Sequence, residues 1–228
     1  MTNGIIPITD VQAQAFAETA KAAADAIKAL HAAGGAVWEI LGDKHMRQLL
    51  KLHPDSRSIA VTQVEVDVAR PRSDRLVLSY ILIGNLRDVL MPPVTAPTRS
   101  DELWRHTCFE AFVRASVGAD YYELNFAPST QWAAYRFSSY RSGMSVAMEV
   151  GAPIIEVQSS TGRYTFQVTL EFDQLSGLPR LAGWYLGLSA VIEDSDHRIS
   201  YWALAHPAGK PDFHHAECFV HELMPVMS

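Results

Sequence analysis

From residue 46 onward, apolar and polar side chains alternate with a period of two. In "VTQVEVDVARP", Val64, Val66 and Val68 alternate with Gln63, Glu65 and Asp67; in "RYTFQVTLEF", Tyr164, Phe166, Val168, Leu170 and Phe172 alternate with Thr165, Gln167, Thr169 and Glu171. Successive side chains of a strand point to opposite faces, so this pattern predicts half-buried strands. Further strands are expected over 48–52, 76–83, 108–114, 121–126, 132–137, 154–158, 184–192, 199–205 and 217–222. The breaks between them ("RPRSDR", "VGAD", "SSTGR", "LSGLPR", "EDSDHR") carry turn-forming residues. No helical pattern separates consecutive strands, so the expected fold class is all-β: an antiparallel β-sandwich of jelly-roll or immunoglobulin-like type. The Pro-rich "VLMPPVTAPTRSD" cannot be a central strand and reads as a long loop leading to Trp104.

The first 45 residues follow a different period. Phe16, Ala20, Ala23, Ile27 and Leu30 recur at helical spacing in an Ala-rich stretch over 9–33, with Thr9 or Asp10 able to cap its start and Gly34-Gly35 ending it. A helix with so thin an apolar stripe needs support from elsewhere. It either docks on the main domain or joins a second copy as a homo-oligomer, or it is an extension ahead of Met46 as an alternative start. The expected division is a helical extension at 1–45 and a ligand-binding β-domain at 46–228.

Strand alternation also brings chemistry together. If Phe109, Ala111 and Val113 face the core, His106, Cys108, Glu110 and Phe112 share the reverse face. On the following strand, Tyr122, Leu124 and Phe126 face the core and Tyr121, Glu123 and Asn125 lie opposite. A hairpin through "SVGAD" then collects His106, Glu110, Glu123 and Asn125 on one side. In "HRISYWALAHPAGKPDFHH" the same reasoning groups Ser200, Trp202, Leu204 and His206, and the loop adds Lys210, Asp212, Phe213 and His214. Trp104, Arg105, Trp132, Tyr135, Arg136 and Tyr140 supply rings and cations nearby in the chain. Aromatic faces with carboxylates, amides and cations suit sugars, whose ring faces stack while their hydroxyls hydrogen-bond. Any single Trp here is equally a core residue, and any single Glu equally a solvent-facing one. The functional reading rests on their co-location.

Composition narrows the field. The chain has 228 residues, 48% hydrophobic and 19% charged, which is globular and long enough for a sizeable core. A net charge of -6, with no basic run interleaved with aromatics, argues against a nucleic-acid partner. No apolar stretch reaches the roughly 18 residues of a membrane span, and no basic start precedes an apolar run; a cytoplasmic protein is expected. Cys108 and Cys218 lie in apolar stretches and read as buried thiols, with a single bridge as the alternative. His206, His214, His215 and His221 match no ligand spacing, so no metal site is assigned. Nor is any catalytic residue: there is no nucleophile elbow and no Gly-rich phosphate loop.

Three segments in order, "DELWRHTCFEAFV", "YYELNFAPSTQWAAYRF" and "ISYWALAHPAGKPDFHHAECF", resemble the DOMON-like domains related to family 9 carbohydrate-binding modules. The resemblance runs over about residues 46–224. It implies a β-sandwich whose concave face takes a sugar or haem, with Trp104, Trp132 and Trp202 as stacking rings. For haem, Met91 or Met144 with His106 or His214 would be the axial ligands. The expected function is therefore non-catalytic binding of a small, sugar-like ligand by Trp104, Arg105, His106, Glu110, Glu123, Asn125, Trp132, Arg136, Trp202 and His206. A haem-binding electron-transfer domain is the alternative. A sugar-processing enzyme using Glu110 or His206 is a further one.

Overall fold

The computed structural model describes residues 46–172, 177–179 and 182–226. The helix expected over 9–33 lies outside them. In chain order the strands are β1 (Met46–Leu52), β2 (Val61–Arg72), β3 (Arg75–Gly84), β4 (Cys108–Ala115), β5 (Tyr121–Phe126), β6 (Trp132–Phe137), β7 (Ser145–Val146), β8 (Ile154–Ser160), β9 (Arg163–Glu171), β10 (Trp184–Glu193), β11 (Ile199–Ala203) and β12 (His221–Leu223). Three short 3-10 turns, Leu86–Asp88, Leu103–Arg105 and Ala216–Cys218, are the only helical elements among the described residues. None of them is long and apolar enough to cross a membrane.

Every strand pairs antiparallel with its neighbours, in the order β7-β6-β5-β4-β10-β11-β1-β2-β3-β9-β8, with β12 beside β10. The all-β antiparallel class expected from the alternation is thus present. Where two separate sheets were expected, the ladder is continuous: β1 pairs with β2 along Met46–Leu50 and with β11 at Lys51 and Leu52. The result is one sheet curled into a half-barrel. The strand expected over 217–222 is replaced by a turn and then β12. There Cys218 Sγ donates to the carbonyls of Asp212 (3.2 Å) and Ala205 (3.4 Å), and His215 Nδ1 accepts from the Glu217 N–H at 3.3 Å. Both cysteines are free and buried.

The curl brings two halves over one core. Val64, Val66, Val68, Leu78, Leu82, Phe166 and Val168 from one half meet Phe109, Ala111, Val113, Leu124, Leu186 and Leu188 from the other. Phe109 is the central contact, with ring centroids 4.7 Å from Phe166 and 4.9 Å from Tyr80. Such aromatic pairs contribute about 0.5–1.5 kcal/mol each beyond their buried area. The Tyr80 hydroxyl donates to the Glu110 carbonyl at 2.6 Å, satisfying its one polar atom across the layer. Beyond β2, β3 and β9 the alternating side chains are polar, as in the Arg47–Asp67 pair at 2.7 Å.

The β4–β5–β6–β10–β11 half differs, because its outer face is also apolar. Cys108, Phe112, Tyr121, Tyr135, Phe137 and Val191 form a second buried cluster there, covered by Phe213 and Phe219 from the C-terminal loops. All six residues of β5 are buried as a result. This covered outer face carries the candidate site.

Candidate functional site

Glu110 lies in the middle of β4, facing Asn125 on β5 and Ser189 on β10 in register. Strand alternation puts it on the outer face, opposite Phe109 and Ala111, and Glu123 joins it there as a diagonal neighbour two residues from Asn125. Both carboxyls are nearly inaccessible, with residue exposures of 3% and 6%. Burial raises the Glu110 pKa to about 8, helped by the Glu123 charge and opposed by the Ser189 hydroxyl, which donates to Oε2 at 3.0 Å. Glu110 is therefore largely a neutral acid at pH 7. Burial also raises Glu123, but Asn125 Nδ2 donates to its Oε1 at 2.8 Å and the Arg141 charge assists, so ionisation is partly restored. The other end of the Asn125 amide, Oδ1, is buried with no partner. Such an orphaned acceptor costs about 1–3 kcal/mol unless a donor meets it.

A second group of side chains comes from the loops. The Arg141 backbone N–H donates to the Tyr121 oxygen at 3.2 Å, and that oxygen lies 2.8 Å from His214 Nδ1. Burial raises the Tyr121 pKa, so the phenol keeps its proton and donates it to Nδ1. The His214 proton then sits on Nε2, which is 3.6 Å from Glu123 Oε2, beyond direct hydrogen-bond range. Burial and the Arg141 charge push His214 down to about 4, against Asp212, so the imidazole is neutral. Asp212 ties the two loops together. It accepts from Tyr140 and from Arg141 (2.8 Å at NH2), and also from the His214 N–H at 3.2 Å. Arg141 has φ +50°, a left-handed conformation that costs a non-glycine residue about 1 kcal/mol or more and is maintained here by these contacts.

Between these groups opens a cleft of about 420 Å³, within the 300–1,000 Å³ typical of small-ligand sites. Its floor holds Glu110, Glu123, Phe112 and Val191, and its walls Trp104, Tyr201, Phe213, His214, Arg141 and Met144. Trp104 follows Glu102, itself at φ +61°, and is 36% exposed. Its ring meets Tyr135 edge-on at 6.1 Å, and the Tyr135 hydroxyl donates to Asp101 at 2.6 Å.

Of the residues expected at the site, Trp104, Glu110 and Glu123 border this cleft, and Asn125 lies behind its floor. The others are placed elsewhere. Trp132 and Trp202 turn to the inner core; Arg99 stacks over the Trp132 ring at 4.1 Å, and Trp202 Nε1 donates to Ser200 at 3.1 Å. Arg136 shares the inner side of β6 and pairs with Asp120 at 3.0 Å. Arg105 is held outward by Glu102 at 2.6 Å. His106 is exposed and, with His197, brackets Glu193 at 2.7 Å each. His206 Nε2 donates to the Lys51 carbonyl at 2.8 Å, its ring edge-on to His53.

Two causes account for the placement of Trp202, Arg105, His106 and His206. On β11, Val191 pairs with Tyr201 and Ala190 with Trp202, so the parity is the reverse of the expected one and Tyr201 reaches the cleft. Arg105, His106 and His206 lie outside strands, where alternation carries no information. Arg141 and Tyr201 were not anticipated at all, and Met144 only as a haem ligand. "DFHH", with four polar or aromatic residues in a Pro- and Gly-containing loop, was the one local signal for Phe213 and His214.

Haem does not fit these side chains. His214 and Met144 both border the cleft, but Tyr121 occupies His214 Nδ1 and Nε2 faces Glu123. Met91 packs against the inner core, whereas His106 is at the surface bound to Glu193. Among the described residues no group of three or more His, Cys, Asp or Glu could hold a metal ion.

Neither protein-family models nor curated protein sequences give a match to this chain. Solved structures do. The chain is similar to a candidate carbohydrate-binding protein from Bacteroides uniformis at 13% identity, over 86% of this chain and 89% of that one, with a TM-score of 0.56. Weaker matches are a family 9 carbohydrate-binding module from Caldicellulosiruptor kristjanssonii in complex with cellotriose (9% identity, 72% and 75% of the chains, TM-score 0.41) and one in complex with glucose (10%, 72% and 76%, 0.42). At such identity the likeness to the Bacteroides protein is one of fold.

Proposed function

We propose that the cleft on the outer face of β4, β5 and β10 binds a small carbohydrate. Two buried carboxyls on the floor of an aromatic-walled cleft carry this reading. The floor oxygens need hydroxyl partners, and each sugar hydroxyl brings both a donor and an acceptor. Glu123 accepts from hydroxyls, neutral Glu110 both donates and accepts, and His214 Nε2–H and the Arg141 guanidinium donate. Trp104 offers a ring face for the apolar side of the sugar, and Tyr201 and Phe213 also line the cleft. We read the two facing halves of the curled sheet as the layers of a β-sandwich related to the family 9 carbohydrate-binding modules and their DOMON-like relatives. The Bacteroides protein of the same fold is described as carbohydrate-binding, which favours the same class of ligand.

Isothermal titration of the full chain with a panel of mono- and disaccharides tests this. Saturable binding of at least one sugar is expected, together with a loss of at least about tenfold in affinity for Trp104→Ala. No heat across the panel from a folded protein would refute it.

A further inference from the structure

We propose that this cleft also interconverts the anomers of a free reducing sugar, with Glu123 as the base and Glu110 as the acid. The inference rests on the carbohydrate reading and deepens it. Binding alone does not call for two buried carboxyls side by side: an amide or a hydroxyl would satisfy sugar oxygens without placing ionisable groups under an apolar floor. Here the pair is built asymmetrically. Glu110 and Glu123 are diagonal neighbours on β4 and β5, a relation that sets Cβ atoms about 7 Å apart. Asn125 lies directly opposite Glu110 and two residues from Glu123 on the same face. Its N–H end donates to Glu123, which favours the carboxylate, and its oxygen is buried without a partner. Glu123 thus has an amide donor and the Arg141 charge favouring its carboxylate, whereas Glu110 has the Glu123 charge set against its own. The elevated Glu110 pKa of about 8 agrees with that assignment. Paired titratable groups of unequal proton affinity are the arrangement used for acid–base work.

The reaction needs no co-reactant. Glu123 takes the proton from the anomeric hydroxyl, and the freed electron pair forms the C1=O1 carbonyl. The bond from C1 to the ring oxygen breaks, its electron pair goes to that oxygen, and the oxygen takes the Glu110 proton. The open-chain aldehyde rotates about C1–C2. The ring hydroxyl then attacks either face of C1, returning its proton to Glu110 while O1 regains the proton held by Glu123. Both carboxyls end as they began. A cleft of about 420 Å³ suits a single small sugar, which is all this reaction requires.

The test measures exchange between α and β anomers of D-glucose, D-galactose, D-mannose and D-xylose by NMR magnetisation transfer, with calorimetric binding to the same sugars in parallel. Wild-type protein is expected to raise the exchange rate of a bound sugar at least tenfold above buffer. Glu123→Gln and Glu110→Gln are each expected to return exchange to the buffer rate while affinity stays within tenfold, since a positioned acid or base contributes about 10²–10⁴-fold. Binding without accelerated exchange overturns this inference and leaves the binding function standing. Absence of both overturns both. Acceleration that survives in both Gln variants overturns the residue assignment. Should either variant lose its near-UV circular dichroism, the wild-type pH profile decides: acceleration must fall above about pH 8 as Glu110 loses its proton, and a profile flat through that range overturns the proposal.

Discussion

Replacing Glu110 with Gln isolates the energetic consequence of burying an ionisable group in the β4–β5–β10 floor. In the folded protein the Glu110 pKa rises from 4.5 to about 8. Between those values the folded chain holds a proton that the unfolded chain has released. Stability is therefore fully present below pH 4.5 and declines as pH climbs towards 8. At about 1.4 kcal/mol per pH unit the loss approaches about 5 kcal/mol; relaxation of the charged form makes about 3–5 kcal/mol the realistic range. Gln keeps the shape and accepts from Ser189 without any ionisation. Urea denaturation followed by Trp fluorescence, at intervals from pH 5 to 8.5, should show Glu110→Gln gaining on wild type by that amount. That equals roughly 10 °C in melting temperature for a domain of this size. The other groups linked electrostatically to Glu110, namely Glu123, Cys108 and Tyr80, are present in both proteins, so they do not mimic the effect. Parallel pH profiles for the two proteins would refute the reasoning.

Trp104→Ala should cost less than about 1 kcal/mol of stability because the ring is partly exposed, whereas Trp202→Ala should cost about 3–5 kcal/mol; thermal melts that rank them the other way would reverse the inner and outer assignments. Tyr80→Phe removes the 2.6 Å bond to the Glu110 carbonyl across the core and is expected to lower stability by about 1–2 kcal/mol in chemical denaturation, with no change near zero tolerated by the packing described. Gly84→Ala places a Cβ 2.2 Å from the Ala60 carbonyl oxygen at φ +154°, so a loss above about 2 kcal/mol is expected; a variant as stable as wild type would contradict the β2–β3 geometry.

The strands that read most plainly from the sequence are those buried on one side. In β2 and β9 the valines and aromatics face inward and their polar alternates face solvent, and both parity and placement agree with the expected pattern. β4 and β5 are apolar on both faces, yet Glu110, Glu123 and Asn125 still mark their outer side, because polar groups are excluded from the main core. β11 had no such marker: "ISYWALA" offers Tyr201 and Trp202 to opposite sides, and a shift of one position exchanges the ring that packs for the ring that borders the cleft. The meeting of Arg141 and His214 over Glu123 was illegible for another reason. They reach Glu123 only because Asp212 binds the 140–141 loop from more than 70 residues away.

By itself the sequence determined the antiparallel β class, the approximate positions of most strands, and the common face shared by Glu110, Glu123 and Asn125. These follow from local alternation, which any pleated strand obeys. Only the tertiary structure decided that the sheet is continuous through β1, that Trp132 and Trp202 belong to the core, and that Trp104, Arg141 and His214 meet over the two carboxyls. Which face of a doubly apolar strand lies inward, and which distant loops close over it, depends on contacts between segments far apart in the chain, and no local period encodes them.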